Sequence, residues 1–291
     1  MSATFFAQLL VNGIMLGLIY ALIAVGLSLI FGVLEVVNFA HGQIYTLGAF
    51  AMLFMVSGLG LGYVPAVLGA TILVALAGYL LYEGFLRFLK QGEFERGIIL
   101  TLGLGMIIQN GMLYLFGATP RVVDTEFSFV TISAAGVSLD LSRGVAGLFA
   151  VVAIGGLHLL LTRTRFGKAM RAMAQNAEAA FVVGMRPRVV ASHAVIIGLA
   201  LTGLAGAILA PVFTVHPLIG IPILFKAFAI VIIGGLGHIP GTAVAALIIG
   251  VCESFAGGIG SAALQDATVF LLMIAILQWR PLGLFGKGVR I

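Results

Sequence analysis

Charge is what this chain has least of. Only 9% of its 291 residues are Asp, Glu, Lys or Arg, against 62% hydrophobic, where a soluble protein carries about a quarter charged residues. With a mean hydropathy of +1.22, that excludes a water-soluble domain and makes the chain an integral membrane protein. Cysteine is nearly absent too. Cys252 stands alone, which excludes an internal disulfide and any cysteine-based metal site. No Lys or Arg precedes Arg87; a secretory signal opens with a positive stretch, so the first apolar run is expected to remain as an uncleaved span.

Catalytic signatures are missing as well. There is no G-x-x-x-x-G-K-[ST] phosphate loop, since Gly286-Lys287 is followed by Gly288 and lacks the upstream glycine. No H-E-x-x-H occurs, no acidic cluster that would hold a divalent metal, and no Ser/His/Asp set, so an enzyme is disfavoured. Nor is there the chain of intramembrane acids and histidines that proton-driven carriers use. A translocation path without an energy source of its own implies a passive pore or an external motor. The net charge of +5 falls in loops expected to be cytoplasmic and implies no nucleic-acid partner.

What the chain does have is apolar runs, at roughly 5–31, 44–57, 63–86, 97–117, 144–162, 189–213, 222–236, 241–256 and 266–279. A span needs about 20 residues, so a single all-α polytopic domain over 1–291 with about eight membrane helices is expected. Forty glycines suit helices that pack closely in lipid, and Gly13, Gly17 and the run GLALTGLAGA at 198–207 offer small faces for such contacts.

Orientation follows from one segment. RTRFGKAMRAMAQNAEAAFVVGMRPR, residues 163–188, carries Arg163, Arg165, Lys168, Arg171, Arg186 and Arg188 against Glu178 alone, which places it on the cytoplasmic side. Alternation then puts 87–96 and the tail (Arg280, Lys287, Arg290) inside. It puts 118–143, with Asp124, Glu126 and Asp140 against Arg121 and Arg143, outside. Within 163–188 the residues spell a short helix. Asn176 can cap it, Glu178 sits in its first turn, and Gly184 ends it ahead of Pro187. Such a helix is either a handle for another subunit or part of a solvated topogenic loop.

Two runs, 44–57 and 222–236, are too short for the hydrocarbon core, and each adjoins a polar or glycine-marked break: LEVVNFAHGQ at 34–43 and GGLGHIPG at 234–241. Interrupted segments of this kind point to a translocation path, and the two breaks look like a possible internal repeat. Glu35, Asn38, His41 and Gln43 at the first break either line a polar path or stitch broken helix ends, with Asn38 as an N-cap. His238 at the second break has the same two readings. A hairpin about His238 brings Lys226, 12 residues before it, and Glu253, 15 after it, within about 4.5 Å in depth. They are expected to pair on the outer half, as a structural ion pair or as a receiver of charged solute. His158, His193 and His216 are isolated from one another and lack metal-ligand spacing.

The chain resembles the membrane permeases of branched-chain amino acid ABC importers, of the LIV-H type. The likeness rests on GLIYALIAVGLSLIFGVLEVVNFAHGQIYTLGAF (17–50), RAMAQNAEAAFVVGM (171–185), KAFAIVIIGGLGHIPGTAVAALIIGVCES (226–254) and RPLGLFG (280–286). The resemblance implies a multi-pass permease of the bacterial-type inner membrane, paired with a homologous permease, two ATPase subunits and an extracytoplasmic solute-binding protein. ATP and Mg would be held by the partners, with no cofactor and no metal in this chain. Arg171, Asn176, Glu178, Ala180 and Gly184 would form the ATPase-coupling element. Asn38, Ala40, His41 and Gly42 match the N-terminal motif. His238 departs from the small residue, such as serine, common there. Permeases for urea or short amides share these motifs, and a stand-alone channel or secondary carrier is the rival from another class.

Overall fold

The computed structural model describes residues 2–89, 93–134 and 136–286, without the side chains of 134, 177 and 178. Lys287 and Arg290 lie outside the described residues. The chain is all-α apart from one outer hairpin. In order come α1 (Ala3–Leu34), α2 (His41–Leu53, continued by a π-turn to Gly58), α3 (Tyr63–Gly84), α4 (Phe94–Phe116), β1 (Thr131–Ala134), β2 (Val137–Asp140), α5 (Leu141–Arg163), α6 (Arg165–Gln175), α7 (Ala177–Val182), α8 (Pro187–Leu209), α9 (Gly220–Gly234), α10 (Ile239–Ile259) and α11 (Ala262–Trp279). Seven helices among the described residues are long and apolar enough to cross a membrane: α1, α3, α4, α5, α8, α10 and α11. That is one fewer than the eight or so expected, and the two short runs set apart in the sequence form the shorter helices α2 and α9.

The core is one cluster of buried aliphatic side chains, with glycines where the helix backbones come closest. Helices in lipid gain no hydrophobic drive from touching one another, so close approach and dispersion must hold them. On α1, a Cβ at Gly13 would meet Val251 Cα of α10 at 2.6 Å, and one at Gly17 would meet Leu247 Cα at 2.8 Å. On α8, a Cβ at Gly198 would meet the Gly26 carbonyl of α1 at 2.6 Å. The residues that look like helix-packing faces in the sequence therefore weld α1 to α10 and α8. Helices α4, α5 and α11 lie at the edge of this bundle, with few buried residues.

Depth follows from what the helix ends touch. Gln8 near the start of α1 exchanges hydrogen bonds with Ser138 of β2, each 2.8 Å, so α1 starts on the acidic outer side. Val36, just past its end, packs on Gly97 at the start of α4, next to the basic 87–96 segment. At about 1.5 Å per residue, 32 helical residues span about 48 Å, enough for a complete crossing.

Candidate functional site

The first break is an extended strand of backbone climbing a helix. After Glu35, which turns the chain with φ 54°, residues 36–40 rise along α4. Val36 meets Gly97, Phe39 and Val37 meet Thr101, and Ala40 meets Gly105. Gln43 then donates through Nε2 to Gln109 Oε1 at 3.0 Å. The α4 partners recur every four residues, so one stripe of that helix carries the whole climb. Non-helical backbone at membrane depth must find partners in protein, and Thr101 supplies one. Its Oγ1 accepts from Phe39 N at 3.1 Å, while its own proton has its nearest acceptor in the Gly97 carbonyl at 2.8 Å, with the Val37 carbonyl at 3.2 Å.

Helix α2 therefore begins deep in the bundle. Asn38 is not its N-cap: the cap position is Ala40, with no side-chain cap bond. Asn38 Oδ1 instead accepts from Ala40 N at 3.0 Å, closing a turn before the helix. His41 is fully buried. Its Nε2 lies 2.9 Å from the Ile23 carbonyl and 2.8 Å from Thr202 Oγ1, whose own proton goes to the Gly198 carbonyl at 2.9 Å. A carbonyl only accepts, so Nε2 carries the proton and Nδ1 is left a bare acceptor, without a partner. Gln43 Oε1 is likewise buried without a partner. Glu35 does not join this group. It is exposed at the inner end of α1, because the climb carries residues 36–40 away from it.

The second break is a tight turn. Gly235 and Gly237 take φ 97° and 75°, and His238 Nδ1 accepts from Gly241 N at 3.1 Å, capping α10. The two breaks are not copies in geometry. In the first a long helix precedes a short one; in the second a short helix precedes a long one. Both reach the inner side, where a Cβ at Gly32 would meet Gly237 Cα at 3.4 Å.

Lys226 and Glu253 come together, Nζ to Oε1, at 2.5 Å. By rise per residue Lys226 sits about 18 Å from the hairpin tip. Three residues that sequence reasoning missed complete the cluster. Asp266 Oδ1 lies 2.9 Å from Lys226 Nζ. The Tyr20 hydroxyl accepts from Lys226 at 3.2 Å and donates to Glu253 Oε1 at 3.1 Å. Gln265 Nε2 donates to the same oxygen at 3.4 Å. The only signal for Asp266 is that it is the sole charge at the head of the last apolar run.

The basic segment folds as two helices, not one. Thr164 caps α6 through Gly167 N at 3.0 Å, and Asn176 caps α7 through Ala179 N at 2.8 Å. Gly184, at φ 84°, closes α7 with Gly184 N to Phe181 O at 3.0 Å and Met185 N to Ala180 O at 3.1 Å, a Schellman ending. Ala180 is buried beneath α7, and Arg171 donates to the Leu161 carbonyl near the end of α5. The side chain of Glu178 lies outside the described residues. Phe181, Val182 and Val183 are 67%, 83% and 72% exposed, a bare apolar knob on the inner side. A cavity of about 380 Å³ separates α6 from the second break, with Met170, Arg171 and Ala174 on one wall and Gly237, His238 and Pro240 on another.

Among the described residues no group of three or more His, Cys, Asp or Glu could hold a metal. What remains is a buried set of polar groups around Lys226 and Glu253 and an exposed apolar end on α7. Residues 9–277 match the family described as branched-chain amino acid transport system / permease component. The permease protein BraD of a high-affinity branched-chain amino acid transport system in Pseudomonas aeruginosa is 30% identical over 97% of this chain and 96% of its own length. The permease protein LivH of Escherichia coli is 26% identical over 97% of this chain and 96% of its own length. The permease protein LivM of the same organism is 25% identical over 92% of this chain and 68% of its own length.

Proposed function

The chain belongs to the family of branched-chain amino acid transport system permease components, and from that premise we propose that it moves a branched-chain amino acid inward, driven by ATPase subunits that grip α6 and α7. It is a multi-pass protein of the cytoplasmic membrane, and a transport subunit rather than an enzyme. The single observation that carries the motor reading is the α7 knob. A helix with a side-chain cap at one end and a Schellman ending at the other is built to be rigid, and Phe181, Val182 and Val183 at its end touch water instead of the core. An exposed apolar patch of this kind marks a protein contact.

Force on α6–α7 has a short route into the membrane. Arg171 ties α6 to the end of α5, and the inner cavity lets α6 approach the glycine turn at 235–237 and His238. That turn joins α9, which carries Lys226, to α10, which carries Glu253. The first break adds a second deep helix start at His41. The ATP and Mg sites belong to the partner subunits. A homologous permease completes the path; the match to both LivH and LivM of one organism favours a paired arrangement of related permeases. A solute-binding protein delivers cargo outside. The relatives' names favour amino acids over urea or short amides.

The test is reconstitution with and without the partners. Uptake of leucine by proteoliposomes is expected to require ATP, the ATPase subunits and the binding protein. Phe181→Asp is expected to lower uptake by roughly tenfold or more, the weight of one buried aromatic anchor at an interface. Uptake by this chain alone, or full uptake by Phe181→Asp, overturns the reading.

A further inference from the structure

One oxygen in the cluster around Lys226 and Glu253 has no role in the ion pair. Glu253 is fully buried, yet all its bonds fall on Oε1, which accepts from Lys226, Tyr20 and Gln265. Oε2 is buried with no partner. Nor is Lys226 free to serve it: its three N–H groups are taken by Glu253, Asp266 and Tyr20. The cluster therefore sets one ammonium against two carboxylates and carries a net charge of −1. A bare carboxylate oxygen away from water is unfavourable until a donor reaches it.

The same residues face a cavity of about 370 Å³, within the range of small-molecule sites. Lys226, Glu253 and Asp266 give it a charged wall; Leu16, Ile219 and Ile223 give it an aliphatic one. Thr214 and His216 border it on the outer connection, whose Val215 pairs with Arg121. We propose that Glu253 Oε2 and Asp266 receive the α-ammonium group of the amino acid in transit, while the aliphatic wall takes its side chain. The ammonium brings both the missing donor and the missing positive charge. A neutral amide brings only the donor. This rests on the permease reading above and deepens it by naming the cargo group recognised within the membrane.

The test uses the complex of this chain with its partner permease and ATPases, in lipid nanodiscs without nucleotide, titrated with radiolabelled leucine. Leucinamide, which keeps the ammonium group, is expected to compete; isocaproate, which lacks it, is not. Glu253→Gln is expected to weaken leucine retention by roughly tenfold and to erase the difference between the competitors. A merely structural pair would lower yield without changing that selectivity. Equal competition by isocaproate, unchanged retention in Glu253→Gln, or no retention by the native complex overturns the assignment, even where ATP-driven uptake persists. Where Glu253→Gln does not assemble, Asp266→Asn on the exposed side of the cluster replaces it: weaker retention supports the site, unchanged retention overturns it. Failure of the native complex to take up leucine with ATP overturns the permease reading instead.

Discussion

The two interruptions in the helical bundle solve one problem in opposite ways. At 35–40 the chain leaves the helix for six residues at membrane depth and borrows a hydrogen-bond partner from a different helix, through Thr101 of α4. At 235–238 it turns within four residues on local chemistry: two glycines adopt positive φ, and His238 caps the helix that follows. The first break is held by α4; the second is held by its own turn and by the C-terminal segment, where Leu284 N donates to the Ile233 carbonyl at 2.7 Å and Phe285 stacks on His238.

Substitutions that separate the two kinds of support sharpen this contrast. The largest loss of stability is expected from Thr101→Val, which keeps the shape but strips the partner from Phe39 N. At roughly 1–3 kcal/mol for a stranded backbone group, denaturant unfolding in detergent should show a drop of that size; a drop below about 1 kcal/mol would mean the climb is held some other way. His238→Ala is expected to lower stability by only about 1 kcal/mol, the worth of one helix cap. Its larger signature should be in coupling, with ATP hydrolysis less tightly tied to uptake. Tight coupling in that variant would argue against the turn as part of the route from α6 into the membrane. The smallest effect is expected at Glu35. Its left-handed backbone suits glycine, so Glu35→Gly should raise stability by up to about 1 kcal/mol and leave uptake unchanged. Lost uptake would restore Glu35 to the path.

Local chemistry explains which parts were legible. Asn176 as a cap, Gly184 as a stop and the glycine turn before His238 are written within a few residues of where they act. The short runs at 44–57 and 222–236 signalled deep helix ends because length against bilayer thickness is a one-dimensional property. Lys226 and Glu253 could be paired because a hairpin reduces their separation to counting residues. Asn38 was misplaced by two positions, since nothing local says that α2 waits until His41. Glu35 was grouped with His41 by nearness in sequence, which an extended climb destroys. Tyr20, Asp266 and Gln265 lie on helices whose packing against α9 and α10 no periodicity reports.

The amino-acid order alone determined that this is a membrane-embedded helical protein, where its helices break, and where the short helix α7 starts and stops. Each of these depends on hydropathy, charge or backbone preference within a short window. Tertiary structure alone decided which helix serves the backbone of the first break, and which oxygen of Glu253 is left without a donor. Both depend on distances between residues more than sixty and two hundred positions apart, set by how closely glycine lets helices approach.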